Sequence, residues 1–339
     1  MEAINASTAP RLQYGHLNPP PQIPTVHLNA NAMPLPLVGM GTAEHPFDPL
    51  RTKSAVSTAI ELGYRHFDTA AFNQSEKPLG DAIAEATSLG LIESRGEVFV
   101  TSKLWCTDCH PDLVLPAIRS TLRKLGMEYL DLYLIHWPMS LMPGPPAFPI
   151  RREDVVPMDL KGVWAAMEEC QRLGLTRAIG VSNFTTNKLD DLLQFADIRP
   201  AVNQVEMNPV WQQHKLKEYC AERGIHITAY SPLGGRGRVG NNTLMDCQVL
   251  KEIAAAKEKT LAQVSLRWLY EQGVSFVVKS FNKERLEENL KIFDWELTDD
   301  DRLKISEIPQ KKRIYAEAML SNDGSLHGVA ISDIDIVEI

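Results

Sequence analysis

Ala178-Ile-Gly-Val-Ser-Asn183 and the run that follows it, Val202-Asn-Gln-Val-Glu206, decide the reading of the chain. Each is a short apolar stretch that stops at hydrogen-bonding side chains, Ser182 and Asn183 in the first, Gln204 and Glu206 in the second. Apolar runs of about 4–8 residues bounded by turn signals read as buried parallel strands. Polar groups at the carboxyl end of such a strand are where α/β proteins place their ligands.

The same layout recurs along the sequence. Strand signals fall at Leu37–Thr42, Arg65–Thr69, Val98–Leu104, Leu130–His136, Ala178–Ser182, Val202–Glu206, Ile225–Tyr230 and Ser275–Lys279. Between them lie helical patterns at Asp48–Leu62, Glu76–Leu89, Pro111–Leu125, Leu160–Leu173, Thr186–Ala196 and Gln213–Arg223. Later ones follow at Asp246–Lys257, Thr260–Gln272, Lys283–Ile292 and Thr298–Ser306. Strict alternation over about 250 residues points to a (β/α)8 TIM barrel, with a doubly wound open sheet as the alternative. Thr25–Leu28 with Met33–Leu37 reads as a hairpin closing the barrel floor, and Pro309–Ile339 as a tail folded over one end. The division is an N-terminal extension, 1–24, rich in Pro and Asn and expected to be mobile, then a single barrel over 25–339.

Bulk numbers exclude several classes. The 339 residues are 44% hydrophobic and contain no run of 18 apolar residues, so no transmembrane helix is expected. Residues 1–24 lack a basic segment followed by an apolar one, so they do not read as a secretory signal. The formal net charge of -8 argues against a nucleic-acid binder. Five cysteines in a long chain without an export signal read as reduced thiols, and the expectation is a cytoplasmic monomer acting on a small molecule.

In a barrel the chemistry sits at the carboxyl ends of strands. Those positions hold Asp68, Lys103, His136, Ser182 and Asn183, Gln204, Tyr230 and Ser231, and Lys279 and Ser280. An acid, an amine and an imidazole on three neighbouring strands can share one network that tunes a proton donor. The bland reading of the same residues is a buried ion pair and a satisfied core histidine.

Taken together, Gly39-Met-Gly-Thr42, Phe67-Asp-Thr-Ala70, Glu76, Thr101-Ser-Lys103, Leu134-Ile-His-Trp-Pro138, Gly180-Val-Ser-Asn-Phe184, Asn203-Gln-Val-Glu206, Tyr230-Ser-Pro-Leu233 and Lys279-Ser280 resemble the aldo-keto reductases. Leu104-Trp-Cys-Thr-Asp-Cys-His-Pro-Asp112 and Gln204-Val-Glu-Met-Asn-Pro-Val-Trp-Gln-Gln213 are similar to its plant branch, which includes deoxymugineic acid synthase, chalcone reductase and codeinone reductase. The resemblance implies hydride transfer from NADPH to a carbonyl. It implies that Gly41 and Thr42 line the cofactor site, that Ser182, Asn183 and Gln204 hold the nicotinamide carboxamide, and that Tyr230 stacks on the ring. By the same resemblance Ser231, Leu233 and Gly234 lie along the pyrophosphate. Lys279, Ser280, Asn282 and Arg285 would take the 2′-phosphate, with Glu288 and Asn289 near the adenine. Trp105, Trp137 and the loop Met139–Val156 would wall the substrate pocket.

One position departs from the family pattern. The acid tyrosine is expected five residues after Asp68 and three before Glu76, and Asn73 stands there. A carboxamide donates a hydrogen bond to an alkoxide but has no proton of usable acidity. Tyr64 precedes its strand, and Tyr133 points away from His136 by strand alternation. Three accounts stay open: a protonated His136 or a water held by Lys103 supplies the proton; the substrate is an iminium; or catalysis is weakened. Arg151, Arg152 and Arg313 read as carboxylate clamps for a 2-oxo acid or as solvated surface charges.

Two motifs are set aside. Cys106-Thr-Asp-Cys-His110 has haem-attachment spacing but follows a barrel strand directly, so it reads as a pocket-side loop, and no metal site is expected. Gly235-Arg-Gly-Arg-Val-Gly240 follows a strand without opening a helix, and reads as a loop over the cofactor or a solvated basic loop, with Arg236 and Arg238 the residues in question.

Overall fold

The computed structural model describes residues 22–28, 34–235, 243–326, 328–330 and 334. Most of the N-terminal extension and the loop holding Arg236 and Arg238 lie outside the described residues.

Eight parallel strands close into one barrel in sequence order. They are β1 (Val38–Gly41), β2 (His66–Asp68), β3 (Phe99–Leu104), β4 (Leu130–Ile135), β5 (Thr176–Ser182), β6 (Val202–Glu206), β7 (His226–Tyr230) and β8 (Ser275–Val278). β8 pairs with β1 through Val277 and Gly39, and β5 pairs with β6 through Ser182 and Gln204, so no edge is left open. The open-sheet alternative is thereby excluded.

Along each strand successive side chains alternate between two cores. Val100, Tyr133, Ile135, Ile179 and Val181 face the helices, whereas Phe99, Leu132, Leu134, Ala178 and Val202 fill the barrel interior with Leu35 of the floor hairpin. That hairpin pairs Thr25–Val26 with Leu35–Pro36, and Pro36 O accepts from His66 Nδ1 at 3.0 Å. The interior has room for no more. A Cβ on Gly180 would lie 2.5 Å from Val202 O and 2.8 Å from a Leu134 methyl. Overpacking of this kind typically destabilises by about 1–3 kcal/mol, and a backbone carbonyl cannot swing aside. Gly180→Ala should therefore lower the unfolding free energy measured in urea by that amount, and an unchanged value would show that β5 and β6 separate freely.

The outer helices follow their local signals. Asp48 caps α1 (Pro49–Glu61) by accepting from Leu50 N and Arg51 N, with Pro at the first position. α2 (Glu76–Ser88) and α4 (Leu160–Arg172) lie close to expectation, while α3 (Val114–Leu125) starts later because Pro111 to Leu113 form a turn. α5 (Thr186–Leu193) and α6 (His214–Glu222) are shorter than read. The helix expected at Asp246–Lys257 is two pieces, α7 (Thr243–Asp246) and α8 (Gln248–Ala256). α9 (Leu261–Glu271), α10 (Lys283–Leu290) and α11 (Asp299–Ser306) complete the ring. Within the Trp137–Val156 loop, Ser140–Leu141 pairs with Val155–Val156, and Ile150 forms a parallel bridge to Leu320 of the tail.

Candidate active site

Strand parity does most of the positioning. Asp68, Lys103, Ser182, Gln204 and Tyr230 fall on inward positions at the carboxyl ends of their strands, and His136 follows β4 in the same phase. A closed barrel brings such residues into one layer beneath the rim.

Within that layer Lys103 Nζ donates to Asp68 Oδ1 at 2.6 Å and to Thr69 O at 3.0 Å. Gln204 Nε2 donates to Asp68 Oδ2 at 2.8 Å, so both carboxylate oxygens are satisfied in a buried site. The strand positions allow His136 to share this network or to be a satisfied core histidine, and the structure shows neither. His136 makes no side-chain bond to either partner, and its buried Nδ1 has no hydrogen-bond partner among the described residues. Burial first, and the Lys103 ammonium second, hold its imidazole well below the ordinary value. An orphaned buried donor is costlier than an orphaned lone pair, which places the ring proton on Nε2.

Asn73 ends a 3-10 turn, Ala71–Asn73, directly after β2, and Gln74 closes the turn at φ 60. The turn packs against β3, the strand of Lys103. Among the described residues the Asn73 carboxamide has no hydrogen-bond partner, and it is half-buried. Its neighbour Phe72 stacks on Trp105 at 4.0 Å, and Trp105 meets the His136 ring edge-on at 5.2 Å.

Across the opening, Asn183 adopts φ 65 and is gripped from several sides. Its Nδ2 donates to His136 O at 3.0 Å and its Oδ1 accepts from the Tyr230 hydroxyl at 2.7 Å. Ser182 Oγ donates to Gln204 O at 2.8 Å. The Tyr230 ring is thus fixed at the rim, and burial, with the Glu206 carboxylate, pushes its hydroxyl well above the ordinary phenol range. Beyond it Ser231 takes φ 50 and Gly234 N donates to Ser231 O, with Leu233 packed on the core between them.

At the far end of the rim Lys279 is exposed, its ammonium 5.4 Å from the Phe281 ring. Asn282 caps α10 through Arg285 N, and Ser280 Oγ accepts from Asn282 N. Arg285 is exposed, and neither cation has a carboxylate partner among the described residues. Glu288 is engaged by the Thr260 hydroxyl at 2.6 Å, and Asn289 is buried beside Tyr64. A Cβ on Gly41 would lie in ordinary contact with Lys279 Cβ at 3.8 Å, which places this glycine of β1 beside Lys279.

The other wall is apolar. Trp105, Trp137, Met139, Leu141, Ile150 and Val155 form one cluster with Ala316 and Leu320 of the tail. Arg151 forks onto Asp154 at 2.6 and 2.8 Å, Arg152 binds Ser321 O at 2.9 Å and lies 3.5 Å from Glu317, and Arg313 binds Gly235 O. The tail is fastened by Glu206, which the sequence marks as a polar strand end without indicating its partner. Glu206 Oε2, buried at the end of β6, accepts from Arg313 N at 3.2 Å and Ile314 N at 2.9 Å.

The profile of the Aldo/keto reductase family matches residues 37–309. The chain belongs to the aldo/keto reductase family. It is an oxidoreductase family, and its members include close relatives of this chain. A 7-acetyl-epi-neemfruitin B aldo-keto reductase of Melia azedarach is 57% identical over 303 residues, covering 89% of this chain and 94% of that protein. An NADPH-dependent codeinone reductase 1-4 of Papaver somniferum is 57% identical over 304 residues, covering 89% and 94%. Among solved structures, a Bombyx mori aldo-keto reductase in complex with NADP superposes with a TM-score of 0.78 at 36% identity, covering 86% of this chain and 94% of that one.

In this aldo/keto reductase the Cys-x-x-Cys-His segment is built into the interior. Cys106 and Cys109 are buried behind the pocket wall, burial pushes both thiols up, and His110 Nε2 pairs with Leu141 O at 2.8 Å. Among the described residues no cluster of His, Cys, Asp or Glu could hold a metal, and no helix is long and apolar enough to cross a membrane.

Proposed function

We propose that the chain is an NADPH-dependent reductase that delivers hydride to the carbonyl carbon of a small, uncharged, apolar plant metabolite, with Asn73 in the place of the proton donor. The observation that carries the reading is the layer of Asp68, Lys103, Gln204 and His136 lying under one rim with Lys279 and Arg285, which have no carboxylate partner among the described residues.

The residues present fit a phosphorylated dinucleotide. Among the described residues Lys279 and Arg285 form no ion pair, and they flank the start of α10, which suits a dianionic phosphate. Gly41 brings bare backbone beside Lys279, and Gln204 Oε1 takes no hydrogen bond from a described residue, so it can accept from a carboxamide. Ser182, Asn183 and Gln204 would hold that carboxamide and Tyr230 would support the ring, with Thr42, Ser231 and Leu233 beside the phosphates and Ser280, Asn282, Glu288 and Asn289 at the adenosine end. Bound there, NADPH supplies hydride to a carbonyl carbon.

The chain's own side chains then act on the oxygen. His136, neutral and protonated on Nε2, donates a hydrogen bond to it, as does the Asn73 carboxamide. Lys103 lends a fixed positive charge, held in place by Asp68. A protonated His136 is a poor candidate for the missing acid, because its imidazole is held neutral. The alkoxide takes its proton from water, which makes turnover slow. The same carboxamide favours a second reading, an iminium substrate that accepts hydride without needing a proton.

The walls favour an uncharged substrate over a 2-oxo acid. Arg151, Arg152 and Arg313 are occupied by protein oxygens, while Phe72, Trp105 and Phe148 present rings, the last two 4.0 and 6.5 Å from Phe72. The test is a fluorescence titration with NADPH, followed by absorbance loss with an activated aldehyde, an uncharged ring ketone, a 2-oxo acid and a cyclic imine. Saturable binding with the ring ketone turned over faster than the 2-oxo acid is expected. Absence of NADPH binding would overturn the reading, and binding without turnover of any of the four would leave a cofactor-binding barrel.

A further inference from the structure

α1 carries a cation that the sequence reading passed over. Arg51 Nη1 lies 2.8 Å from Glu44 Oε1, and the two side chains differ sharply in burial: Arg51 is 61% exposed and Glu44 only 8%. The second oxygen of Glu44 is buried with no hydrogen-bond partner among the described residues. The Arg51 guanidinium also stands 5.5 Å from the centre of the Phe281 ring. Lys279 stands 5.4 Å from the centre of that same ring.

A pair with one partner in solvent gains little from its attraction, while the buried carboxylate has lost its hydration, so stability is a poor reason for sinking Glu44 beside Arg51. Positioning is a better one. Asp48 fixes the first turn of α1, Glu44 anchors one nitrogen of the guanidinium, and the Phe281 ring limits where the rest can go. The remaining N–H groups of the fork stay available, and they are in the geometry that suits phosphate oxygens. Arg51 and Lys279 share the Phe281 ring as a common neighbour, so an anion bound beside that ring is within the field of both. Phe281 lies two residues after Lys279 and immediately before the Asn282 cap of α10, the helix that carries Arg285, and α1 packs against α10.

We propose that Arg51 is a third cation for the phosphate at the adenosine end of the cofactor and a determinant of preference for NADPH over NADH, with Glu44 as the residue that positions it. This rests on the NADPH-reductase reading above. Neither Arg51 nor Glu44 touches the layer of Asp68, Lys103 and His136, so the effect is on binding and leaves the chemical step alone.

The test uses the full chain with Arg51→Met, Arg51→Lys and, separately, Lys279→Met. NADPH and NADH affinities are measured by fluorescence titration at low and high salt. A charge-assisted hydrogen bond to phosphate corresponds to about a tenfold change in affinity. Arg51→Met should weaken NADPH about tenfold, leave NADH within about twofold, and flatten the salt dependence for NADPH; Arg51→Lys should recover part of the loss. Equal weakening of both cofactors, or no weakening of either, overturns the assignment. If Lys279→Met loses NADPH while Arg51→Met does not, the Arg51 inference alone fails. If the parent chain binds no NADPH at all, it is the underlying reading that fails.

Discussion

Asn73→Tyr is expected to raise kcat for carbonyl reduction about 10²–10⁴-fold, the usual contribution of a placed general acid. The site is built to receive the ring. Asn73 ends a short turn whose backbone is pinned by Phe72 stacked on Trp105, and among the described residues its side chain has no hydrogen bond for a substitution to break. A phenol there would lie at the rim beside the strand of Lys103, whose ammonium favours the ionised form and so makes the phenol a better donor. Asn73→Phe is the control, since it supplies the ring without the hydroxyl and should leave the rate near that of the parent. If Phe raises the rate as much as Tyr, the acid account is wrong and the gain comes from shape. The pH profile of the parent separates the remaining donor. An imidazolium acid works below its pKa and is lost as pH rises through it. Because burial and Lys103 hold His136 well below its ordinary value, the parent rate should show no fall between about pH 6 and 8.

Much of this site was legible because it follows from counting by twos. Asp68, Lys103, Ser182 and Gln204 end apolar runs on the inward phase, and any closure of eight such strands brings them together. Helix ends were less legible. Pro111 to Leu113 read as helix from their neighbours' periodicity, yet the chain turns there and α3 begins at Val114. The pair Ser140–Leu141 with Val155–Val156 was hidden in a proline-rich loop because strands of two residues carry no period. Partnerships across the fold were not legible at all. Gln204 as the second partner of Asp68, Glu206 as the clasp of the tail, and Arg51 beside Phe281 join residues far apart in sequence, with no spacing to announce them. His136 shows the limit from the other side: its strand position was right, but whether it bonds to Lys103 depends on ring orientation, which sequence does not encode.

Lys103→Met should lower unfolding stability by about 3–5 kcal/mol, because it leaves the Asp68 carboxylate buried without a counter-charge. Both groups are almost wholly shielded, and the 2.6 Å contact between them is backed by Gln204 on one oxygen and Thr69 O on the ammonium. The Asp68→Asn, Lys103→Met double variant should lose less than the two single losses added together, since removing both charges leaves neither stranded. Urea unfolding followed by circular dichroism measures all three. A Lys103→Met loss below about 1 kcal/mol would mean that water reaches the layer and screens it. The decisive member of the series is Asp68→Leu with Lys103→Met. Buried ion pairs replaced by apolar residues of similar volume are often neutral or stabilising. A pair kept only to hold the barrel together would therefore be dispensable, and this variant should fold as well as the parent. Its loss of turnover, with NADPH still bound, would assign the charges to the reacting oxygen; retained turnover would return them to the bland role of a buried ion pair.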